Sequence, residues 1–290
     1  MVAGVVARAL DIGVQLPEVE REVRWPEMLA IAQTVEKCGF DSLWLGDHML
    51  YRGDGRGERG PWDVWTLLAA LAASTERVML GPLVASMAFH PPGLIARMAT
   101  AIDEISAGRF VLGLGAGWNE TEFRAFGIPF DNKVSRFEEA FEIVRRLVAG
   151  ERVTFEGRYH RVEEALVLPR PARRLPLMVG SSGPRILGIT LPHVQAWNSW
   201  YSWYGNTAEG FASLSAKFDG DFRRSACVLV ALEGGAGERN VEEGSAPVDA
   251  PRLREHLSAL ADAGADEAIL VLDPINEQSV AAVAHLLYET

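Results

Sequence analysis

The chain has only two cysteines among its 290 residues, Cys38 and Cys227. Neither a disulfide framework nor a cysteine-rich zinc site can be assembled from them. Each lies in or beside an apolar stretch, so both read as buried thiols. No apolar run reaches the roughly 18 residues that a membrane-spanning helix needs. The first ten residues are apolar but give way at once to Asp11, too short a stretch for a secretory leader. The expectation is a soluble, cytoplasmic protein. Basic residues are in deficit, with 28 Lys and Arg against 39 Asp and Glu and a formal charge of −11. An acidic surface argues against nucleic acid or an anionic membrane as the main partner. No His, Asp or Glu spacing suggests a metal. No Gly-x-Ser-x-Gly elbow appears, so a serine hydrolase is disfavoured.

What the chain does have is a repeated alternation of short apolar runs with longer amphipathic ones. Strands are expected at residues 12–16, 42–45, 77–84, 109–115, 175–180, 194–200, 226–232 and 267–272, each followed by a helical stretch. The helix over 92–105 starts on a proline, and the one over 133–148 stops before Gly150, the usual punctuation. Eight such units in one chain make an α/β (β/α)8 TIM barrel, with residues 1–290 as one domain. A doubly wound sheet is the rival. It normally carries a glycine fingerprint after its first strand, and Gly13-Val14-Gln15 offers none. A small hairpin over 153–160 is expected as an insertion between strands four and five. Residues 51–60 have the composition of a mobile flap, and 233–246 that of a loop.

In such a barrel the chemistry sits where strands end. The fourth strand ends in Gly108-Arg109-Phe110-Val111-Leu112-Gly113-Leu114-Gly115-Ala116-Gly117-Trp118-Asn119-Glu120. A strand end stripped of side chains leaves a shelf for a flat ligand. The fifth ends in Gly180-Ser181-Ser182-Gly183 before a helix, where backbone N–H groups and hydroxyls can hold a phosphate. Arg185 either adds charge there or faces solvent. Asp47 and His48 close the second strand. Histidine titrates near neutrality and can pass a proton to a substrate; the competing reading is a loop cap and a gap filler. Gln15 ends the first strand and faces the same mouth. Trp118, Trp197, Trp200 and Tyr201 either wall an apolar substrate pocket or belong to ordinary packing.

The stretches Phe40-Asp41-Ser42-Leu43-Trp44-Leu45-Gly46-Asp47-His48, Phe89-His90-Pro91-Pro92, Gly113 to Glu120, Gly127-Ile128-Pro129-Phe130 and Gly180 to Arg185 resemble the bacterial luciferase-like monooxygenase superfamily, TIM-barrel oxidoreductases that use flavin or the deazaflavin coenzyme F420. The chain is most similar to actinobacterial members assigned to F420. The resemblance implies hydride transfer between F420 and an organic substrate, FMN with oxygen being the alternative and a non-catalytic flavin-binding barrel the other. It implies a non-proline cis peptide at Leu83-Val84 in a bulge against the cofactor ring, with Ser86, Asn119 and Asp47 contacting the cofactor. Gly115 and Gly117 would lie beneath the ring, His48 would transfer the proton, and the Gly180–Gly183 turn would hold the phosphate. Arg52, Arg56 and Arg59 are candidates for an acidic cofactor tail. Relatives are often homodimers. One departure matters: relatives that oxidise sugar phosphates carry a catalytic glutamate where this chain has Ala116. That, with the Trp and Tyr cluster, points to an apolar or aromatic substrate. A second is Leu191-Pro192-His193-Val194-Gln195, which departs from the alanine-rich helix end usual there.

Overall fold

The computed structural model describes residues 10–53, 55–235 and 244–288. Its strands are β1 (Asp11–Gln15), β2 (Ser42–Leu45), β3 (Met79–Pro82, resuming at Ala85–Ser86), β4 (Leu112–Gly115), β5 (Leu177–Gly180), β6 (Ala196–Ser199), β7 (Arg223–Ala231) and β8 (Glu267–Asp273). Its principal helices are α1 (Trp25–Lys37), α2 (Val64–Ser74), α3 (Pro92–Ile105), α4 (Lys133–Val148), α5 (Pro184–Thr190), α6 (Ala208–Ser215), α7 (Leu253–Asp262) and α8 (Glu277–Tyr288). All the barrel pairings are parallel, and β1 lies between β2 and β8 while β8 also pairs with β7. The order continues through β6 and β5 to β4. This is the expected barrel. Its strands read as unbroken apolar runs because side chains are covered on both faces; all seven residues of β8 are buried.

The third strand differs from the expected continuous run. Residues up to Pro82 pair with β2, whereas Ala85 and Ser86 pair with Leu114 and Gly115 of β4. Between them the Leu83–Val84 peptide is cis, as the family resemblance implied. The strand thus leaves one neighbour for the other at this bulge, and the barrel closes through it and through a bridge from Leu80 to Phe110. The seam is tight. A Cβ on Gly113 would fall 2.2 Å from the Pro82 carbonyl oxygen, so only glycine permits this approach.

The helices bury one stripe each. In α4, Phe137, Ala140, Phe141, Val144, Leu147 and Val148 are buried, the three-to-four-residue recurrence of a helix laid on a sheet. Cys227 is buried as expected, and Cys38 is only half-buried at the end of α1. The inserted hairpin runs Val153–Glu156 and Arg161–Ala165, so its second strand begins after the expected limit of 160. The Glu139 carboxylate explains the shift. It accepts hydrogen bonds from the backbone N–H groups of Arg158, Tyr159 and His160, which makes those residues the turn. The loop expected over 233–246 lies partly outside the described residues, as does most of the apolar N-terminal stretch.

One buried carboxyl is held inside the barrel. Ser42 Oγ donates to Glu267 Oε1 at 2.8 Å. Burial raises the Glu267 pKa, outweighing the Ser225 and Ser42 hydroxyls and the Arg223 charge that lower it. A carboxyl raised in the folded state stabilises most below its unfolded pKa, and that contribution is lost as pH climbs through the folded value. Glu267→Gln keeps the shape without the charge. Thermal melts of this variant at pH 8 should run roughly 2–4 °C above the parent, with no gain at pH 4. An equal shift at both pH values would contradict the assignment.

Candidate active site

The barrel mouth gathers Gln15, Asp47, His48 and Ser86 from three strand ends, and adds three residues the sequence did not single out. His48 Nδ1 lies 3.0 Å from Glu122 Oε1. On the other side of the ring, Nε2 lies 3.1 Å from the Tyr51 hydroxyl and 3.6 Å from Glu18 Oε1. Burial pushes the His48 pKa down, but Glu18, Glu122 and Asp47 together more than reverse this and hold it above the usual value of 6.5. The carboxylates thus favour the imidazolium more than in a free histidine. Burial, with Glu18, Glu122 and Glu20 nearby, pushes the Tyr51 phenol up, so it stays protonated. With Nδ1–H donating to Glu122, Nε2 is the atom left to exchange its proton, and Tyr51 donates to it when it is neutral.

Glu122 is buried in the short helix Glu120–Ala125 of the β4 loop. It also accepts from the Met49 backbone N–H at 2.9 Å, so one carboxylate fixes both the histidine ring and the loop that follows it. Its sequence signal was ambiguous. Asn119-x-x-Glu122 reads as a helix capping box, a structural motif. Asn119 does cap, accepting from the Thr121 N–H, and its amide donates to the Leu50 carbonyl. Glu122 instead turns toward His48. Glu18 is bonded by Gln15 Nε2 at 2.8 Å, and its carboxyl lies over Gly46, where a Cβ would collide with it.

Asp47 is buried and accepts from the Ser86 backbone N–H at 2.8 Å. It thereby pins the strand just past the bulge. Burial pushes its pKa up to about 7, against the lowering effect of the Ser86 N–H and of His48. The Ser86 hydroxyl is buried and has no hydrogen-bond partner among the described residues. It faces Gly117, where a Cβ would fall 2.7 Å from Ser86 Oγ; the φ there is +74°.

Two expectations need correction. The fourth strand end does not form a bare shelf at Gly115, and Gly180 of the next strand borders the same obstacle. A Cβ on either would meet the Val84 methyls, at 2.7 and 2.9 Å. The glycines make room for the bulge side chain, so Val84, beside half-buried Leu83, is the apolar surface at that level of the mouth. Trp197 is not a pocket wall. It is fully buried, stacks on Phe211 at 6.3 Å and donates from Nε1 to the Ser181 carbonyl. Strand alternation is the reason: its neighbour Asn198 takes the inward position, bonded to Ser225. Trp200 and the buried Tyr201 pack on each other at 4.6 Å. Trp118, 63% exposed, stands edge-on to His48 at 5.5 Å.

At the end of β5, Ser181 Oγ accepts the Gly183 N–H, while Ser182 is exposed. Arg185 pairs with Glu138 on α4 at 2.8 Å rather than pointing into the turn. The flap is anchored at its base by an antiparallel bridge between Tyr51 and Arg59. Arg59 also donates to the Val19 carbonyl and lies over the Tyr51 ring, and Arg52 is 3.5 Å from Glu58. Among the described residues no helix is long and apolar enough to cross a membrane.

The chain is thus a parallel barrel with a bulged third strand and a carboxylate-flanked histidine at its mouth. The profile of the luciferase-like monooxygenase family matches residues 10–233, and the chain belongs to that family. It is 34% identical over 198 residues to the F420-dependent glucose-6-phosphate dehydrogenase of Microbacterium testaceum (strain StLB037), covering 66% of this chain and 53% of that protein. The chain spans about half the length of the curated relatives it matches. Among solved structures it superposes on an F420-dependent secondary alcohol dehydrogenase in complex with an F420-acetone adduct with a TM-score of 0.77, at 17% identity over 96% of this chain and 98% of that one. The monooxygenase RslO1 from Streptomyces bottropensis gives 0.73 at 22% identity, over 96% and 97%. Both share the fold.

Proposed function

We propose that the chain is an oxidoreductase that transfers a hydride between deazaflavin coenzyme F420 and an apolar or aromatic organic substrate. The observation that carries this reading is the buried Ser86 hydroxyl, without a partner among the described residues, beside the Leu83–Val84 bulge and in the same mouth as the carboxylate-flanked His48. A buried hydroxyl without a partner is costly unless a ligand completes it. The residues present fit the group. Val84 offers an apolar face for a planar ring, Ser86 a hydrogen bond to its polar edge, and Ser182 an exposed hydroxyl for its phosphate. The relative from Microbacterium testaceum bears an F420-dependent name, which favours F420 over FMN.

F420, when bound, supplies or accepts hydride at its ring. The protein's residues do the rest. His48 holds a proton at Nε2 for the substrate, Glu18 and Glu122 keep it charged, and Trp118 covers it from solvent. Asp47 holds the strand that carries Ser86. Ala116 stands where sugar-phosphate-oxidising members have an acid, so a sugar phosphate is not the substrate proposed. The protein works in the cytoplasm, as a homodimer.

Titration of the pure protein with F420 and, separately, with FMN tests the reading, followed by cofactor absorbance and fluorescence. F420 should bind, and Ser86→Ala should weaken it about 3- to 10-fold, the worth of one neutral hydrogen bond. Tight FMN binding without F420 binding would replace this reading with the flavin one.

A further inference from the structure

We infer that a second binding site lies outside the barrel, between α3, α4 and the inserted hairpin, and that it takes an amphipathic anion: a carboxylate on an apolar body. The cavity has a volume of about 480 Å³, within the roughly 300–1,000 Å³ of small-molecule sites. Its walls are apolar, including Leu94, Leu147, Val162 and Val167, and its charged groups are cationic, Arg97 and Arg161, with Tyr159 and His160 as neutral polar neighbours. No carboxylate lines it, although the chain carries a formal charge of −11. Lining of one sign against an opposite net charge marks a local preference for anions.

Neither arginine is firmly engaged. Arg97 has no ion pair or side-chain hydrogen bond among the described residues. Arg161 stands 3.6 Å from Glu156, both side chains being more than two-thirds exposed, a geometry worth little in water. The apolar part is also unsatisfied, since Leu94 is 50% exposed at the cavity wall. The site is preformed. The hairpin is tied to α4 through Glu139 and its three N–H bonds, and Val162 and Ala165 pack against the core. A ligand therefore meets a rigid wall and does not have to order it. An aliphatic or aromatic acid matches both halves, its carboxylate between Arg97 and Arg161 and its body against Leu94 and Val162.

Calorimetric titration of the full chain with sodium decanoate, and with decan-1-ol as the uncharged control, tests the inference. Decanoate should bind at one site, with the alcohol at least about tenfold weaker. Arg97→Glu, a surface change, should weaken decanoate by about tenfold or more, and Val162→Trp should fill the cavity and abolish binding. F420 should neither compete with decanoate nor lose affinity in Arg97→Glu, so this result stands apart from the cofactor assignment. Equal binding of acid and alcohol, unchanged affinity in Arg97→Glu, or displacement by F420 would overturn the proposal. So would absence of decanoate binding together with a loss of self-association in Arg97→Glu by sedimentation, which would mean that a second copy covers this face.

Discussion

Replacing His48 with alanine should lower turnover by about 10²- to 10⁴-fold, the usual worth of a positioned acid or base, and leave F420 affinity largely intact. The two readouts separate because His48 contacts Glu122, Tyr51 and Glu18, while the unbonded group assigned to the cofactor is Ser86. The pH profile of the parent carries the same information. A proton donor must be charged, so kcat in the reducing direction should fall as pH rises through the His48 pKa, which lies above the ordinary 6.5. An unchanged rate in His48→Ala, measured as oxidation of reduced F420 by an apolar carbonyl acceptor, would remove His48 from the chemistry.

Glu122 should give the second large effect, and on stability as well as rate. It is buried, and it takes the Nδ1 side of the His48 ring and the Met49 N–H, both from the loop after the second strand. Glu122→Leu leaves a charged ring and a backbone donor without an acceptor. Breaking one side of a buried pair costs about 3–5 kcal/mol. The His48 pKa is raised in the folded state, so this stabilisation is fully present below the unfolded value and fades as pH rises through the folded one. The melting temperature should therefore drop by on the order of 5–10 °C near pH 6, and by less at pH 9. Glu122→Gln should retain most of the fold but shift the kcat limb to lower pH. Melts that fall equally at both pH values, with an unmoved limb in Glu122→Gln, would reduce Glu122 to packing.

The barrel itself was legible because its information is local: apolar runs of strand length, a helix started by Pro92, and a stop at Gly150. Asp47, His48, Ser86 and Gln15 were legible because strand ends place them at one mouth. What escaped depends on contacts between distant segments. Nothing in residues 77–84 says that the strand changes partners at Leu83, since the change is imposed by the neighbours on either side. The glycine at 115 was noticed, but its shelf was misjudged: Val84, from another strand, occupies the space that it and Gly180 leave. Trp197 was counted with the aromatic cluster although its odd-numbered position on β6 turns it to Phe211. Glu122 was hidden in a capping pattern, Tyr51 in a flap identified by composition, and Glu18 in the turn after Pro17. Each stands out only through its contact with His48.

We propose that the bulge and the histidine together form one seat for a deazaflavin ring. A crystal structure of the protein soaked with F420 tests it most directly. The ring should lie against Val84 with a polar edge within hydrogen-bond reach of Ser86 Oγ, and His48 Nε2 should face the open side where substrate enters. Density for F420 anywhere other than this mouth, or in the mouth with Ser86 left unbonded and His48 turned away, would contradict it.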